Sequence, residues 1–312
     1  MTMLTYNNSL MTLSKRKFEG CFNNIEIKLN SQLENMLNNK KDDIDNILKT
    51  KKYIYMYHRY QNVSLYILNN KDRFGYKVII HDPLHCGFTL SERNLAHRIS
   101  CWSKNFIINR INDNHNKLFT MILPVSNRNI LEDNINNREP YIISVGNMYR
   151  DFQTLINALD GIDIKCIIVT NNTNNLKNTN SNIIIKSVPS SDVNEYIKYA
   201  SFGVLPLNEN RGRGSLNPQA HGITVASQYV TSGIPFIISK NRGVDEYLED
   251  GVFGEYYIAN DKNSLREKII HFMNKDVQDN YRCKIKKFFN DNPKHLLLEH
   301  FIEILEYQFS IC

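Results

Sequence analysis

Arg150 stands at the head of an amphipathic segment, and the residues before it, Gly146-Asn147-Met148-Tyr149, turn the chain out of an apolar run. A cation at a helix start opposes the helix dipole. That cost is offset when the arginine faces an anion, because the same helix end attracts phosphate; a solvated arginine is the alternative. A second loop, Asn208 to Thr224 (NENRGRGSLNPQAHGIT), carries Gly212, Gly214, Gly222 and two arginines. It opens into a helix near Thr224, where flexible backbone can present a ring of N–H donors to a diphosphate. The pattern is neither GxGxxG nor the GxxxxGK[ST] phosphate loop. A third group, Gly233-Ile234-Pro235, Arg242 to Tyr247 and Asp250 to Gly254, is turn chemistry piece by piece. In the first half His81 and His85 lie at the end of an apolar strand, as ligand contacts or as plain loop histidines. The D-x-D triplet Asp43-Ile44-Asp45 sits in an acidic helix far from any strand end, which argues against a metal there.

Short apolar runs alternating with helical patterns must position these residues. Strands are expected at 25–29, 53–57, 77–81 and 105–109, with helices over 31–48, 61–69 and 90–100. After Asn127 to Pro140, a stretch poor in apolar residues and read as a linker, the alternation resumes. Strands are expected at 141–145, 165–169, 182–185, 202–206, 235–238 and 254–258, and helices over 151–159, 191–200 and 224–232. Two closing helices come last, the final one with Leu297, Leu298, Phe301, Ile304, Leu305 and Phe309 on one face. The Asn-rich tract 171–182 reads as a surface loop. Short strands separated by helices mark parallel sheets with crossovers. The reading is therefore α/β, two Rossmann-like doubly wound domains facing across a cleft. Residues 1–135 form a shortened first domain, and 136–312 a second domain with closing helices. In such sheets ligands bind beyond the carboxyl ends of the strands.

The chain has 312 residues, 42% of them hydrophobic and 22% charged, which excludes disordered and collagen-like classes. It holds 43 Asn against 6 Ala, a bias toward AT-rich codons that lowers helix propensity without reporting function. No run approaches the 18 apolar residues of a spanning helix, and the first twenty residues lack a signal-peptide core. The six cysteines are scattered and form no CxxC pair, so free thiols in a reducing, cytoplasmic compartment are expected. A net charge of +6 suits an anionic small molecule. Basic clusters such as Lys284-Ile285-Lys286-Lys287 admit a peripheral membrane contact. None belongs to a nucleic-acid module, and no nucleic-acid partner is expected.

Four segments, VGNMYRDFQTLINAL (145–159), VPSSDVNEYIKYASFGVLPL (188–207), HGITVASQYVTSGIPFIIS (221–239) and RGVDEYLEDGVFGEYY (242–257), occur in an order that resembles the nucleotide-binding half of retaining GT-B glycosyltransferases of the glycosyl transferases group 1 family. The first 135 residues resemble that family's acceptor domain only through His81-Asp82-Pro83 with a helix and a strand after it. The resemblance implies donor binding by Gly146, Asn147, Arg150, Val188, Gly222, Ile223, Thr224 and Gln228, and catalytic roles for Arg150 and His81. In that reading Arg150 contacts the donor diphosphate, and Asn147 stands where a second, usually basic, residue lies. Val188 offers its backbone to the nucleotide base, and Gly222, Ile223 and Thr224 open a helix whose amides face the phosphates. Gln228 takes the place of the second Glu of the family's Glu-x7-Glu motif, and Ala220 that of the first, a departure at a position that supports catalysis.

The expected activity is transfer of a sugar from a nucleotide sugar to a glycan or lipid-linked acceptor with retained configuration. Neither metal nor cofactor is expected. The alternatives are a catalytically silent GT-B protein that binds a nucleotide or glycan or scaffolds a partner enzyme, favoured by Ala220 and Gln228, and a nucleotide-sugar epimerase.

Overall fold

The computed structural model describes residues 2–5, 26–56, 59, 61–81, 88–101, 115–121, 140–147, 149–173, 176–208, 222–240 and 251–312. The chain divides into two compact units, residues 1–121 with 302–312, and residues 122–301.

In the first unit β1 (Thr2–Thr5) is followed by β2 (Glu26–Leu29), α1 (Asn30–Asn39), α2 (Lys41–Lys49) and β3 (Tyr53–Met56). Then come α3 (Gln61–Phe74), β4 (Lys77–His81), α4 (Leu90–Leu95), β5 (Arg98–Cys101) and β6 (Leu118–Thr120). The strands form one parallel sheet in the order β2-β1-β3-β4-β5-β6. Its core gathers Ile54, Ile67, Leu68, Val78 and Ile80 with Ile44 and Leu48 of α2.

β1 and β6 are not expected from the sequence, since neither is a long apolar run. Residues 90–100 are expected to be one helix. The structure instead ends α4 at Leu95 and turns the last residues into β5. Thr89 starts the helix with a capping box to Glu92, and Ala96 is already extended (φ −66°, ψ 148°). Parallel pairing of Ile99 and Ser100 with Ile80 and His81 then outweighs the helical pattern. The strand expected at 105–109 lies outside the described residues.

The second unit contains β7 (Tyr141–Val145), α5 (Phe152–Ala158), β8 (Lys165–Val169), β9 (Ile183–Lys186), α6 (Val193–Lys198) and β10 (Phe202–Leu205). α7 (Ile223–Thr231), β11 (Phe236–Ser239), β12 (Gly254–Tyr257), α8 (Lys262–Met273) and α9 (Lys275–Asp291) come next. Its parallel sheet has the order β12-β11-β10-β7-β8-β9. The chain runs outward from β7 to β9, then resumes on the other side of β7 with β10. The strand ends diverge between β7 and β10, the switch point where doubly wound sheets hold ligands. Among the described residues, 170–182 contain no helix, as the Asn-rich composition suggests.

Three helices close the chain rather than two, α10 (Leu298–Ser310) being the last. Phe301, Leu305 and Phe309 are buried as its apolar face predicts. The last eleven residues group with the first unit, which differs from a second domain running to residue 312. The rings of Phe309 and Tyr53 lie 4.8 Å apart. Lys77 Nζ donates to the carbonyls of Phe309 (3.3 Å) and Cys312 (3.0 Å), a cation on a helix C-terminus. The expected boundary near residue 135 lies outside the described residues.

Candidate functional site

The switch point of the second sheet brings together Gly146, Arg150 and Gly222. β7 is buried along its whole length and delivers the chain to Gly146, whose φ of +142° lies in the region that side chains disfavour. A Cβ there would stand 2.5 Å from Arg150 Nε, so the guanidinium lies directly over this glycine. Arg150 Nε donates to the carbonyl of Val145 at 3.0 Å, folding the side chain back onto the strand end. Its backbone bridges Leu207, just past β10. On either side Asp151 N–H donates to Pro206 O (2.7 Å) and Asn208 N–H to Tyr149 O (3.0 Å). Tyr149 adopts φ +55° to make the turn, a left-handed strain of the kind that collects at functional loops.

This geometry corrects the dipole argument. Arg150 precedes the helix rather than starting it: Asp151 is the N-cap of α5, its carboxylate accepting from Thr154 N–H (3.2 Å). The guanidinium is held on the strand-end carbonyl of Val145, and Arg150 lies outside the helix.

α7 supplies the other wall. Gly222, its N-cap, has φ +105°; a Cβ there would lie 3.1 Å from Leu207 Cδ2 and 3.8 Å from Arg150 Nη2. Leu207 is itself fixed by Ser239, whose hydroxyl accepts from Leu207 N–H (3.0 Å) and donates to Leu207 O (3.2 Å). Among the described residues no acceptor meets the N–H groups of Gly222, Ile223 or Thr224. A guanidinium beside a helix start whose first amides meet no acceptor among the described residues has the charge and the hydrogen-bond donors that suit an anion. Tyr229, two turns into α7, anchors the helix to the sheet. Its ring packs where a side chain on Gly203 would otherwise stand, and its hydroxyl donates to Ile143 O (3.3 Å). Burial raises the Tyr229 pKa, with Arg150's charge acting against the rise, so the hydroxyl stays a donor. The sequence offers no sign of this tyrosine's part.

The remaining expected residues fall in different places. Asn147 is exposed, and its carboxamide oxygen accepts from Asn171 N–H at 2.7 Å. Asn172 Nδ2 donates to its carbonyl at 2.6 Å. It therefore fastens the loop after β7 to the loop after β8. Val188 follows β9 at the same carboxyl edge, and among the described residues its backbone is not engaged. Ile223 is buried, Thr224 is exposed and Gln228 is half-buried on α7. Ala220, His85, the linker 127–139, most of the loop 208–224 and the segment 241–250 lie outside the described residues.

His81 is the last residue of β4, 1% exposed. Its Nδ1 lies 2.8 Å from Ser100 Oγ. Ser100 Oγ also lies 3.3 Å from the Tyr55 hydroxyl and 3.3 Å from Ile80 O. Tyr55 and Ser100 escape the sequence reading because Ser100 is expected in a helix; taking Arg98–Cys101 as a strand puts it beside His81.

The D-x-D carboxylates are not at a strand end. On α2, Asp45 accepts from the Tyr66 hydroxyl and pairs with Arg73 (3.3 Å). Among the described residues no three His, Cys, Asp or Glu side chains are grouped to hold a metal ion, and no helix is long and apolar enough to cross a membrane. Cys101, Cys166, Cys283 and Cys312 are free thiols.

Similar proteins agree with this architecture. A glycosyltransferase from Rickettsia africae matches with 14% identity and a TM-score of 0.67 over 99% of this chain and 89% of its own. HepE of Anabaena, in complex with UDP-glucose, matches at 12% identity, with a TM-score of 0.64 over 100% and 99% of the two chains. Sucrose-phosphate synthase from Thermosynechococcus elongatus matches at 11% identity, with a TM-score of 0.62 over 100% and 99%. No curated protein matches by sequence. The family model described as glycosyl transferases group 1 matches residues 126–288, more than half of the chain. The chain has the GT-B fold and belongs to the glycosyl transferases group 1 family.

Proposed function

We propose that the protein transfers a sugar from a nucleotide-sugar donor to a glycan or lipid-linked acceptor with retention of configuration, and without a resident metal. The observation that carries this reading is the stacking of Arg150 over Gly146 beside the start of α7, whose first amides meet no acceptor among the described residues. In such a transfer the bond from the anomeric carbon to the diphosphate breaks, and its electron pair goes to a phosphate oxygen. The acceptor oxygen bonds that carbon, and its proton leaves with the diphosphate. Arg150 and the amides of Gly222, Ile223 and Thr224 hold the growing negative charge, the kind of preorganised stabilisation that lowers such barriers most. Val188 offers its backbone to the base, Gln228 bonds the ribose hydroxyls, and His81 meets a hydroxyl of the donor sugar or acceptor. Asn147 acts by fixing the Gly146 loop. The protein works in the cytoplasm, with its basic helices able to approach a membrane surface.

Family membership and HepE's complex with UDP-glucose support a nucleotide-sugar donor. Ala220, at the position of the family's first motif Glu, favours a second reading, a GT-B protein that binds a nucleotide or glycan without turnover. Incubation with UDP-, GDP- and ADP-sugars separates the two. Slow nucleotide release from one donor is the expected outcome. Binding of a donor without release supports the silent reading, and neither release nor a thermal shift with any donor removes both.

A further inference from the structure

The Asn-rich tract that follows β8 does more than close a surface loop. Its first two residues are fastened back to the turn that carries Arg150. Asn171 N–H donates to Asn147 Oδ1 at 2.7 Å, and Asn172 Nδ2 donates to Asn147 O at 2.6 Å. Behind them Thr170, 1% exposed, donates its hydroxyl to Asn147 Oδ1 (3.4 Å) and accepts from Asn172 N–H (3.1 Å). The tract also reaches the exit of β9, where Ser187 Oγ donates to Asn171 Oδ1 at 2.7 Å. Asn171 thus joins the turn at Gly146 to the segment that leads into Val188.

That second link bears on Val188 because little else holds the chain there. Among the described residues β9 is the outermost strand of its sheet, with β8 as its one neighbour. The last backbone bond across that pair runs from Thr170 N–H to Lys186 O at 2.8 Å. Further on, Pro189 O accepts from Asp192 N–H at 3.0 Å and leads into α6. Val188 lies between the two, and the proline after it restricts it to extended backbone. A residue so restricted has little slack to absorb a displacement of its neighbour. Where Ser187 sits, the N–H and carbonyl of Val188 follow.

We propose that Asn171 is a positioning residue for base selectivity: by holding Ser187 it sets where the Val188 backbone stands against the nucleotide base. Each base presents its own order of donors and acceptors. A backbone N–H and carbonyl tell those patterns apart by position alone. Asn171 and Ser187 are both exposed, so neither side chain is needed to fill the core. This deepens the nucleotide-sugar reading and rests on it, and on Val188 meeting the base.

Calorimetric titration of the full chain with UDP, GDP, ADP and inorganic pyrophosphate tests it. The wild type is expected to prefer one base. Asn171→Ala keeps the backbone bond to Asn147, and Ser187→Ala removes the same side-chain bond from the other end. Each is expected to weaken the preferred nucleoside diphosphate about two- to tenfold, the worth of one neutral hydrogen bond, and to narrow the preference. The double variant is expected to lose no more than either single one, because both remove one interaction. Ser187→Thr keeps the hydroxyl and is expected to keep the preference. Pyrophosphate, which lacks a base, is expected to bind all variants alike. A wild type that binds the three nucleotides alike overturns the proposal, as does a preference that neither substitution changes. Equal losses for pyrophosphate overturn it too, since the bond would then hold only the phosphate side. A wild type that binds none of the nucleotides overturns the nucleotide-sugar reading and this proposal with it. Nucleotide release from a sugar donor, with a base preference that both substitutions leave unmoved, keeps that reading and removes the role of Asn171 alone.

Discussion

At the carboxyl end of β7 a guanidinium folds back over a glycine onto a strand carbonyl, whereas at the carboxyl end of β4 an imidazole is buried against a serine and a tyrosine. Both ends belong to parallel doubly wound sheets, but the strand orders differ, and β7 flanks its sheet's reversal whereas β4 does not. The first presents a cation beside amides that meet no acceptor among the described residues, the second a buried histidine, serine and tyrosine in mutual hydrogen-bonding reach. The difference teaches that a doubly wound sheet supplies the place where a ligand can meet the protein. The residues at and just past the strand ends decide what chemistry that place offers.

The sharpest way to break this comparison is to exchange the two ends' expected losses. Arg150→Ala should weaken binding of a nucleoside diphosphate about 10- to 100-fold, the range of a lost charge-assisted hydrogen bond. His81→Ala should leave that affinity nearly unchanged. Equal losses measured by calorimetric titration would erase the division of labour between the ends.

A smaller effect tests whether α7 is placed by its anchor. In Gly203→Ala the new Cβ would stand 2.5 Å from the Tyr229 ring, which is fully buried and cannot swing away. The cost should be about 1–3 kcal/mol of the second unit's stability, with weaker nucleoside diphosphate binding as the helix start shifts. Denaturant unfolding alongside the titration checks both. Destabilisation without any loss of affinity would show that Tyr229 packs the core and does not place the site.

The smallest effect concerns what the units share. Burial raises the Glu92 pKa, but the Arg59 guanidinium (2.8 Å) and the Thr89 N–H and hydroxyl outweigh it and hold the carboxyl below its ordinary value. Glu255 in the second unit is likewise held low, burial being outweighed by Lys268, Tyr281 and His271. A carboxylate with a depressed folded pKa contributes stability above its unfolded pKa, and that stability is lost as pH falls through the folded value. Glu92→Gln should cost about 1 kcal/mol at neutral pH, modest because Arg59 is partly exposed, and should flatten the acid limb of the first unit's unfolding curve. An acid limb as steep as the wild type's would mean that another carboxylate carries it.

Much of the second unit is legible from residue order. Apolar runs of five, such as Tyr141–Val145 and Lys165–Val169, become strands, because a strand buried on both faces needs continuous hydrophobicity. Gly146, Arg150 and Gly222 stand out in the sequence and are brought together in the fold. The dipole argument for Arg150 fails, since the side chain turns away from the helix it precedes. Asn147, expected to bind the donor, also ties two loops, because Asn171 N–H offers a local partner. The first unit is less legible. Thr2–Thr5 and Leu118–Thr120 are too short and mixed to announce themselves, and become strands only because neighbours complete their ladders. The end of α4 is hidden for the same reason: Leu90 to Ser100 carries a helical pattern that the pairing of β5 with β4 overrides.

The sequence by itself determined the alternation of strands and helices, the glycine turns and the family, because these depend on residue type and on spacing along the chain. The tertiary structure alone decided that Arg150 lies on Val145 O and beside Gly222, that Tyr229 occupies the space left by Gly203, and that His81, Ser100 and Tyr55 share one buried row. Those contacts join residues as distant in the chain as Arg150 and Gly222 through sheet register and backbone conformation. Register is set by which strands pair, and pairing is a property of the folded whole.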